Sequence, residues 1–427
     1  MLHLNYTNIL KTGIGSKHGI SDKALRNFCI KNNPYVKDVM RSKKKGGYDF
    51  LNLPDNTSLL AKIKRLANEQ SKNEWQNIVV LGIGGSSLGL SALKSALLGP
   101  LSQKPRLIVI DNIDPDYTEG ILSRINISKT LFIVISKSGT TVEPMFLYGI
   151  VKQMLVAKNP KNYKKHFIFI TDPKKGLLRK IGKEEGITMF DIPPKIGGRF
   201  SVLSSVGLVP ASLAGIDIAS LLKGAKTMRE ALKSSLPETN PALILASVQF
   251  LMDRKKSKNM TVVMPYSTSL FKVGLWYRQL LAESIGKNKK TGPTPLSALG
   301  TTDQHSMLQL FAEGPNDKLI IFMRVLKHMS DPSLNEVLPK EIGFLNNKKM
   351  SQIIDASYLG TSESLAKANR PNVTIEIPKV DARHIGMLLM LFEFQVALLG
   401  LMYKVDTFNQ PGVEEGKIIT KELLSNS

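Results

Sequence analysis

Cysteine is almost missing from this chain, with one residue, Cys29, in 427. A lone thiol closes no disulfide within the chain, and no Cys/His cluster with metal-ligand spacing accompanies it, so neither a metal site nor a cofactor is expected. The opening stretch MLHLNYTNILKTGIGSKHG lacks a basic start, an apolar core and a small-residue cleavage site, so no secretory signal is read there. Both shortages fit a reducing cytoplasm, which is the expected location. Acidic residues are also short, 35 against 58 lysines and arginines, which leaves a net charge of +23 and a pI near 9.8. Such an excess raises nucleic acids, anionic membranes and anionic metabolites as partners. The basic runs RSKKKGG (41–47) and KNPKNYKKH (158–166), however, lack aromatics interleaved in the manner of a single-strand groove. The lysines are read as solvated surface, and no nucleic-acid partner is expected.

Long apolar runs are scarce too. Only HIGMLLMLFEFQVALLGLMYKV (384–405) invites a membrane reading, and it carries Glu393 and Gln395 at its centre. A charge there costs roughly 2.5–3.5 kcal/mol on insertion scales, so a buried core helix is expected and a membrane is not. With 42% hydrophobic and 22% charged residues the composition is that of a globular protein. Its length exceeds the usual size of one core, which predicts two domains.

What is present is a rhythm of short β-branched runs separated by helix-length segments. The first set covers 77–84, 106–111, 131–136, 166–172 and 187–192; a second covers 260–267, 318–325 and 372–378. Continuous apolar character in such runs marks parallel strands covered on both faces, hence an α/β chain built as two units. Residues before about 50 read as helix and loop, with Asp22 as a helix cap.

Two strand exits carry anion chemistry, where open α/β sheets bind ligands and helix N-termini present free N–H groups. At GIGGSSLG (82–89), Gly82 and Gly84 fit G-x-G-x-x-G and Asp111 ends the next strand, but Ser87 takes the sixth position. A structural turn, a dinucleotide site and a phosphosugar site all remain open for it. VISKSGTTVEP (134–144) is the stronger signal. Ser136, Ser138, Thr140 and Thr141 offer hydroxyls, Gly139 permits a tight turn, and a new helix follows. It lacks the Walker pattern, and a monoester phosphate is preferred over a serine-rich cap.

Four further segments bear chemistry of less specific kind. Arg199 follows two glycines in KIGGRFSVLSSVG (195–207) and could reach an oxyanion, or be an ordinary surface arginine. In GLWYRQLLAESIGK (274–287), Gln279 and Glu283 lie four apart on one helix face; Glu283 could be a general base or merely solvated. His305 in TTDQHSMLQ suits acid–base work from a loop, or is an ordinary polar histidine. In FNQPGVEEGK (408–417), Gln410 follows a turn, and Glu414 and Lys417 have the spacing of a surface ion pair.

In this order the segments resemble the glucose-6-phosphate isomerase (phosphoglucose isomerase) family over about residues 82–417. The signatures are GLMYKVDTFNQPGVEEGK, SKSGTTVEP, GGRFSVLSSVG and QLLAESIGK. Pro193, Pro194 and Lys195 depart from the acidic or amide residues common before GGRF. The resemblance implies two sugar-isomerase (SIS-type) α/β/α sandwich domains with parallel sheets, at 51–220 and 221–427, after an N-terminal segment 1–50. It also implies that Ser136, Lys137, Ser138, Thr140 and Thr141 hold the 6-phosphate and that Gly85 and Ser86 contact the sugar. Glu283 is then the base moving a proton between C1 and C2, and Arg199 lies beside the enediolate. His305 and Lys417 open the ring, and Gln279 and Gln410 touch the ligand. The family histidine comes from the neighbouring subunit, which implies a homodimer with shared active sites, and no metal is needed.

Overall fold

The computed structural model describes residues 1–42, 47–99 and 105–426; of the lysine run at 41–47, residues 43–46 lie outside it. Among the described residues, ten strands form two five-stranded sheets. They are β1 (His3–Asn5), β2 (Asn77–Leu81), β3 (Arg106–Ile110), β4 (Thr130–Ile135), β5 (Phe167–Thr171), β6 (Thr188–Asp191), β7 (Met260–Pro265), β8 (Thr294–Ser297), β9 (Lys318–Lys327) and β10 (Asn372–Lys379). The first sheet has the order β3-β2-β4-β5-β6 and is parallel throughout. In the second, β8-β7-β9-β10 are parallel and β1 runs antiparallel along the β10 edge. Within each sheet the first parallel strand is flanked by the second and third, the doubly wound arrangement with a switch point beside that strand.

The apolar runs behave as two-sided strands must. Every residue of β2, β4 and β5 is buried, and alternate side chains enter different cores. Ile78, Val80, Ile133 and Ile168 share one core with Val263, Ile321 and Val373 of the second sheet. The opposite faces pack separately, around Val79, Phe132 and Val134 for one sheet and around Val262, Ile320 and Phe322 for the other. Between the sheets runs the helix Ala382–Tyr403, which is buried along nearly its whole length. It packs on the helices Ile218–Ala231, Pro241–Lys256 and Phe271–Ile285. The segment expected to be a core helix is therefore one, with Glu393 and Gln395 fully buried. The expected division at residue 220 falls inside the helix Ile218–Ala231.

Two local expectations are corrected. The cap of the helix Asp22–Arg41 is Ser21, whose Oγ accepts the Ala24 N–H at 3.2 Å, and Asp22 is the first helical residue. The N-terminal region is not only helix and loop, because His3–Asn5 pairs with Thr374–Glu376 as an edge strand.

Candidate active site

Because β2 and β4 are neighbours, the loops that leave their carboxyl ends lie side by side. The loop after β4 turns immediately into the helix Val142–Lys158. Its hydroxyls are tied to one another: Ser136 Oγ lies 3.1 Å from Thr141 Oγ1 and accepts the Gly139 N–H at 3.0 Å. Ser138 Oγ accepts from the Thr140 N–H and hydroxyl, each at 3.2 Å. Gly139 has φ +68°, and a Cβ there would come within 2.5 Å of the Leu178 nitrogen, so the turn requires glycine. The result is a tight bowl of hydroxyls at a helix N-terminus, the arrangement that receives an anion.

Lys137 faces another way. Its ammonium donates to the carbonyls of Pro194 at 2.6 Å and Ile196 at 2.9 Å, and burial lowers its pKa. It thereby ties the hydroxyl loop to the segment leading to Arg199.

Arg199 follows β6 and is almost wholly buried. All of its donor directions are used: Nε to Ser284 Oγ at 2.8 Å, Nη1 to Glu283 Oε2 at 3.1 Å and Gln410 Oε1 at 2.7 Å, and Nη2 to the carbonyls of Thr407 at 2.5 Å and Asn409 at 3.0 Å. Burial works against its charge and the Glu283 carboxylate works for it, so the guanidinium is held rigidly and stays cationic. Glu283 is the complement: partly exposed, it receives Arg199 on one oxygen and the Gln279 amide on the other at 2.9 Å. The helix Phe271–Ile285 places Gln279 and Glu283 one turn apart on one face, as their spacing predicts.

The glycine loop after β2 closes the cleft. A Cβ on Gly85 would lie 2.3 Å from the Gly198 carbonyl carbon, so the 84–86 turn sits backbone to backbone against the Arg199 loop. Ser201 Oγ, bonded to the Gly198 carbonyl at 2.6 Å, also reaches the Gly85 carbonyl at 3.4 Å. A Cβ on Gly84 would meet the Gln279 amide nitrogen at 3.2 Å. Gly85, Arg199, Gln279, Glu283 and Gln410 thus converge from both halves of the chain, with Ser86 in the turn beside them. The turn bearing Gln410 is anchored by Phe408, whose ring packs on Phe200 and Tyr48.

His305 and Lys417 are not part of this cluster. His305 is exposed after the short turn Thr302–Gln304. Lys417 is exposed and bonded to Glu414 at 2.7 Å, the ion pair its spacing predicts. The spacing of single motifs missed Ser284, the Thr407 and Asn409 carbonyls, and Lys287, whose ammonium donates to the Asn409 carbonyl. Lys287 stood within a quoted motif, four residues after Glu283, which was the available signal.

Cavities of about 430 and 810 Å³, meeting at Gln70 and Trp75, lie at the amino ends of the first sheet's strands and include none of these residues. Among the described residues no group of three or more His, Cys, Asp or Glu side chains could hold a metal ion.

The sequence profile of the phosphoglucose isomerase family matches residues 51–427. A probable glucose-6-phosphate isomerase of Methanococcus maripaludis is 40% identical, with 100% of this chain and 95% of that protein covered. The glucose-6-phosphate isomerase of Carboxydothermus hydrogenoformans is 38% identical, with 99% and 94% covered. Among solved structures, a hypothetical protein of Thermus thermophilus superposes with a TM-score of 0.90 at 31% identity, over 99% of this chain and 100% of that one. A glucose-6-phosphate isomerase from Chlamydia trachomatis shares the fold, with a TM-score of 0.85 at 22% identity over 99% and 88%. The two-sheet architecture is therefore a known one, and the chain belongs to the phosphoglucose isomerase family.

Proposed function

We infer that this chain interconverts glucose 6-phosphate and fructose 6-phosphate through a cis-enediol, a step shared by glycolysis and gluconeogenesis. The observation that carries this reading, beyond family membership, is the Glu283 carboxylate held between the Gln279 amide and the Arg199 guanidinium. Aldose–ketose exchange needs one base beside the carbonyl carbon and a cation near the charge that develops on oxygen. Glu283 takes the proton from C2 and returns it to C1. Arg199, fixed by its surroundings, meets the enediolate without having to reorganise. The hydroxyl bowl of Ser136, Ser138, Thr140 and Thr141 receives the 6-phosphate, with Lys137 bracing it. Gly85, Ser86, Gln279 and Gln410 contact the sugar.

His305 and Lys417 open the ring in this reading, and a second subunit brings its His305 to the site. Their exposure on the single chain supports that assembly. So does the helix Glu414–Ser425, which buries no residue and leaves Ile418, Ile419 and Leu423 exposed. The protein is thus a homodimer with shared sites and acts in the cytoplasm. Its working units are 51–220 and 221–427, with 1–50 as a bracing segment.

A coupled assay converting fructose 6-phosphate to glucose 6-phosphate tests the reaction, and Glu283→Gln tests the base. That variant keeps size and hydrogen bonding but not basicity, so kcat should fall by at least ~10²- to 10⁴-fold with phosphate binding nearly intact. Exchange of the C2 proton with solvent deuterium should collapse with it. A variant exchanging that proton at the wild-type rate would put the base elsewhere.

A further inference from the structure

Lys287 has no role in the reaction as derived above, yet it stands just beyond the helix that carries Glu283. Its Nζ donates to the Asn409 carbonyl, and the same oxygen accepts from Arg199 Nη2 at 3.0 Å. Two cations from different elements therefore converge on one backbone oxygen. That oxygen belongs to the residue preceding Gln410, whose side chain is itself bonded to Arg199 at 2.7 Å. The charged groups facing Lys287 are Arg199, which opposes its charge, and Asp406 and Glu283, which favour it.

The two cations differ in one respect that matters. A guanidinium is permanently charged, whereas an ammonium can lose its proton when desolvated beside another cation. Burial first, and Arg199 second, bring the Lys287 ammonium down to about 8. A charge-assisted hydrogen bond is roughly twice as strong as a neutral one. Deprotonation leaves a neutral amine that holds the Asn409 carbonyl more weakly, and loosens the turn from the end of the catalytic helix.

We propose that Lys287 is a positioning residue for the isomerase reaction: its ammonium clamps the turn bearing Gln410 to the helix bearing Glu283, and loss of its proton weakens the clamp. This rests on the assignment of Glu283 and Gln410 to the substrate site. The consequence is an alkaline limb in kcat/KM that belongs to Lys287 and not to a group that exchanges protons with the sugar.

The test measures kcat and KM from pH 6 to 10 for the wild type, Lys287→Arg, Lys287→Met and Glu283→Gln. The wild type should lose kcat/KM above a midpoint near the Lys287 value of about 8. Lys287→Arg, which cannot titrate in this range, should stay within a few fold of wild type at pH 7 and carry its limb at least about one pH unit higher. Lys287→Met should lose roughly 10- to 100-fold in kcat/KM at pH 7, as misplacement of a positioned group does, and show no limb near that pH. An unchanged limb in Lys287→Arg, with Glu283→Gln inactive, overturns the proposal and leaves the site assignment standing. Activity in Glu283→Gln overturns the site assignment itself.

Discussion

Arg199 and Glu393 are both buried ionisable side chains, and they are held under opposite conditions. Arg199 has an acceptor for each of its N–H groups, so its charge is retained inside the fold and serves as a rigid electrostatic element. Glu393, in the central helix, is fully buried, and neither carboxylate oxygen has a hydrogen-bond partner among the described residues. Burial pushes its carboxyl well above the usual carboxylate range, so it is held as the neutral acid. The folded state then keeps a proton that the unfolded chain releases near pH ~4.3. Its contribution is fully present below that pH and is lost as pH rises toward the folded value, at about 1.4 kcal/mol per pH unit. Glu393→Gln removes the titration, so its thermal midpoint relative to wild type should climb steadily between pH 5 and 8. Parallel pH profiles for the two proteins would show that the carboxyl is not held neutral.

At the scale of elements, the site is made by short connections, the 84–86, 136–141 and 198–200 loops and the turn bearing Gln410. The 136–141 loop owes its form to the adjacent start of a helix, to Gly139 and to the mutual bonding of its hydroxyls. Thr141 is the centre of that bonding, since its Oγ1 lies near both Ser136 and Ser138. Thr141→Val keeps the shape and removes the hydroxyl. Its KM for fructose 6-phosphate should rise several-fold with kcat and the melting temperature little changed, and an unchanged KM would count against the loop as phosphate site. The 84–86 and 198–200 turns work differently, because their contact is glycine to glycine and offers no room for a side chain. They bring main chain from β2 against main chain that follows β6.

For the whole molecule, the continuous core between the sheets matters most, because it holds Glu283 and the 136–141 loop, from different halves of the chain, in a fixed relation. Yet the single chain leaves His305 and Lys417 on its surface. Mixing inactive Glu283→Gln with inactive His305→Ala chains tests whether a second copy completes the site. In a heterodimer one of the two sites regains both groups, so activity should return toward a quarter of wild type after random exchange. Verified exchange without recovery would rule out shared sites.

The alternation of buried runs with helix-length segments was enough to specify an α/β chain with parallel strands, because a strand covered on both faces has no choice but continuous apolar sequence. The hydroxyl loop and the Gln279–Glu283 face were legible for the same kind of reason: both depend on neighbours within six residues. β1 and β8 were not, since three residues of HLN and the proline-containing TPLS become strands only through pairing with β10 and β7. Nor could spacing assign Arg199, whose partners lie 84 to 211 residues away, or Lys287, which gains its environment from the Asn409 carbonyl, 122 residues on. Local sequence determines which groups are offered at a strand exit or on a helix face. Burial, the low dielectric and the long-range partners that make those groups chemically distinct exist only once the two sheets close on a common core.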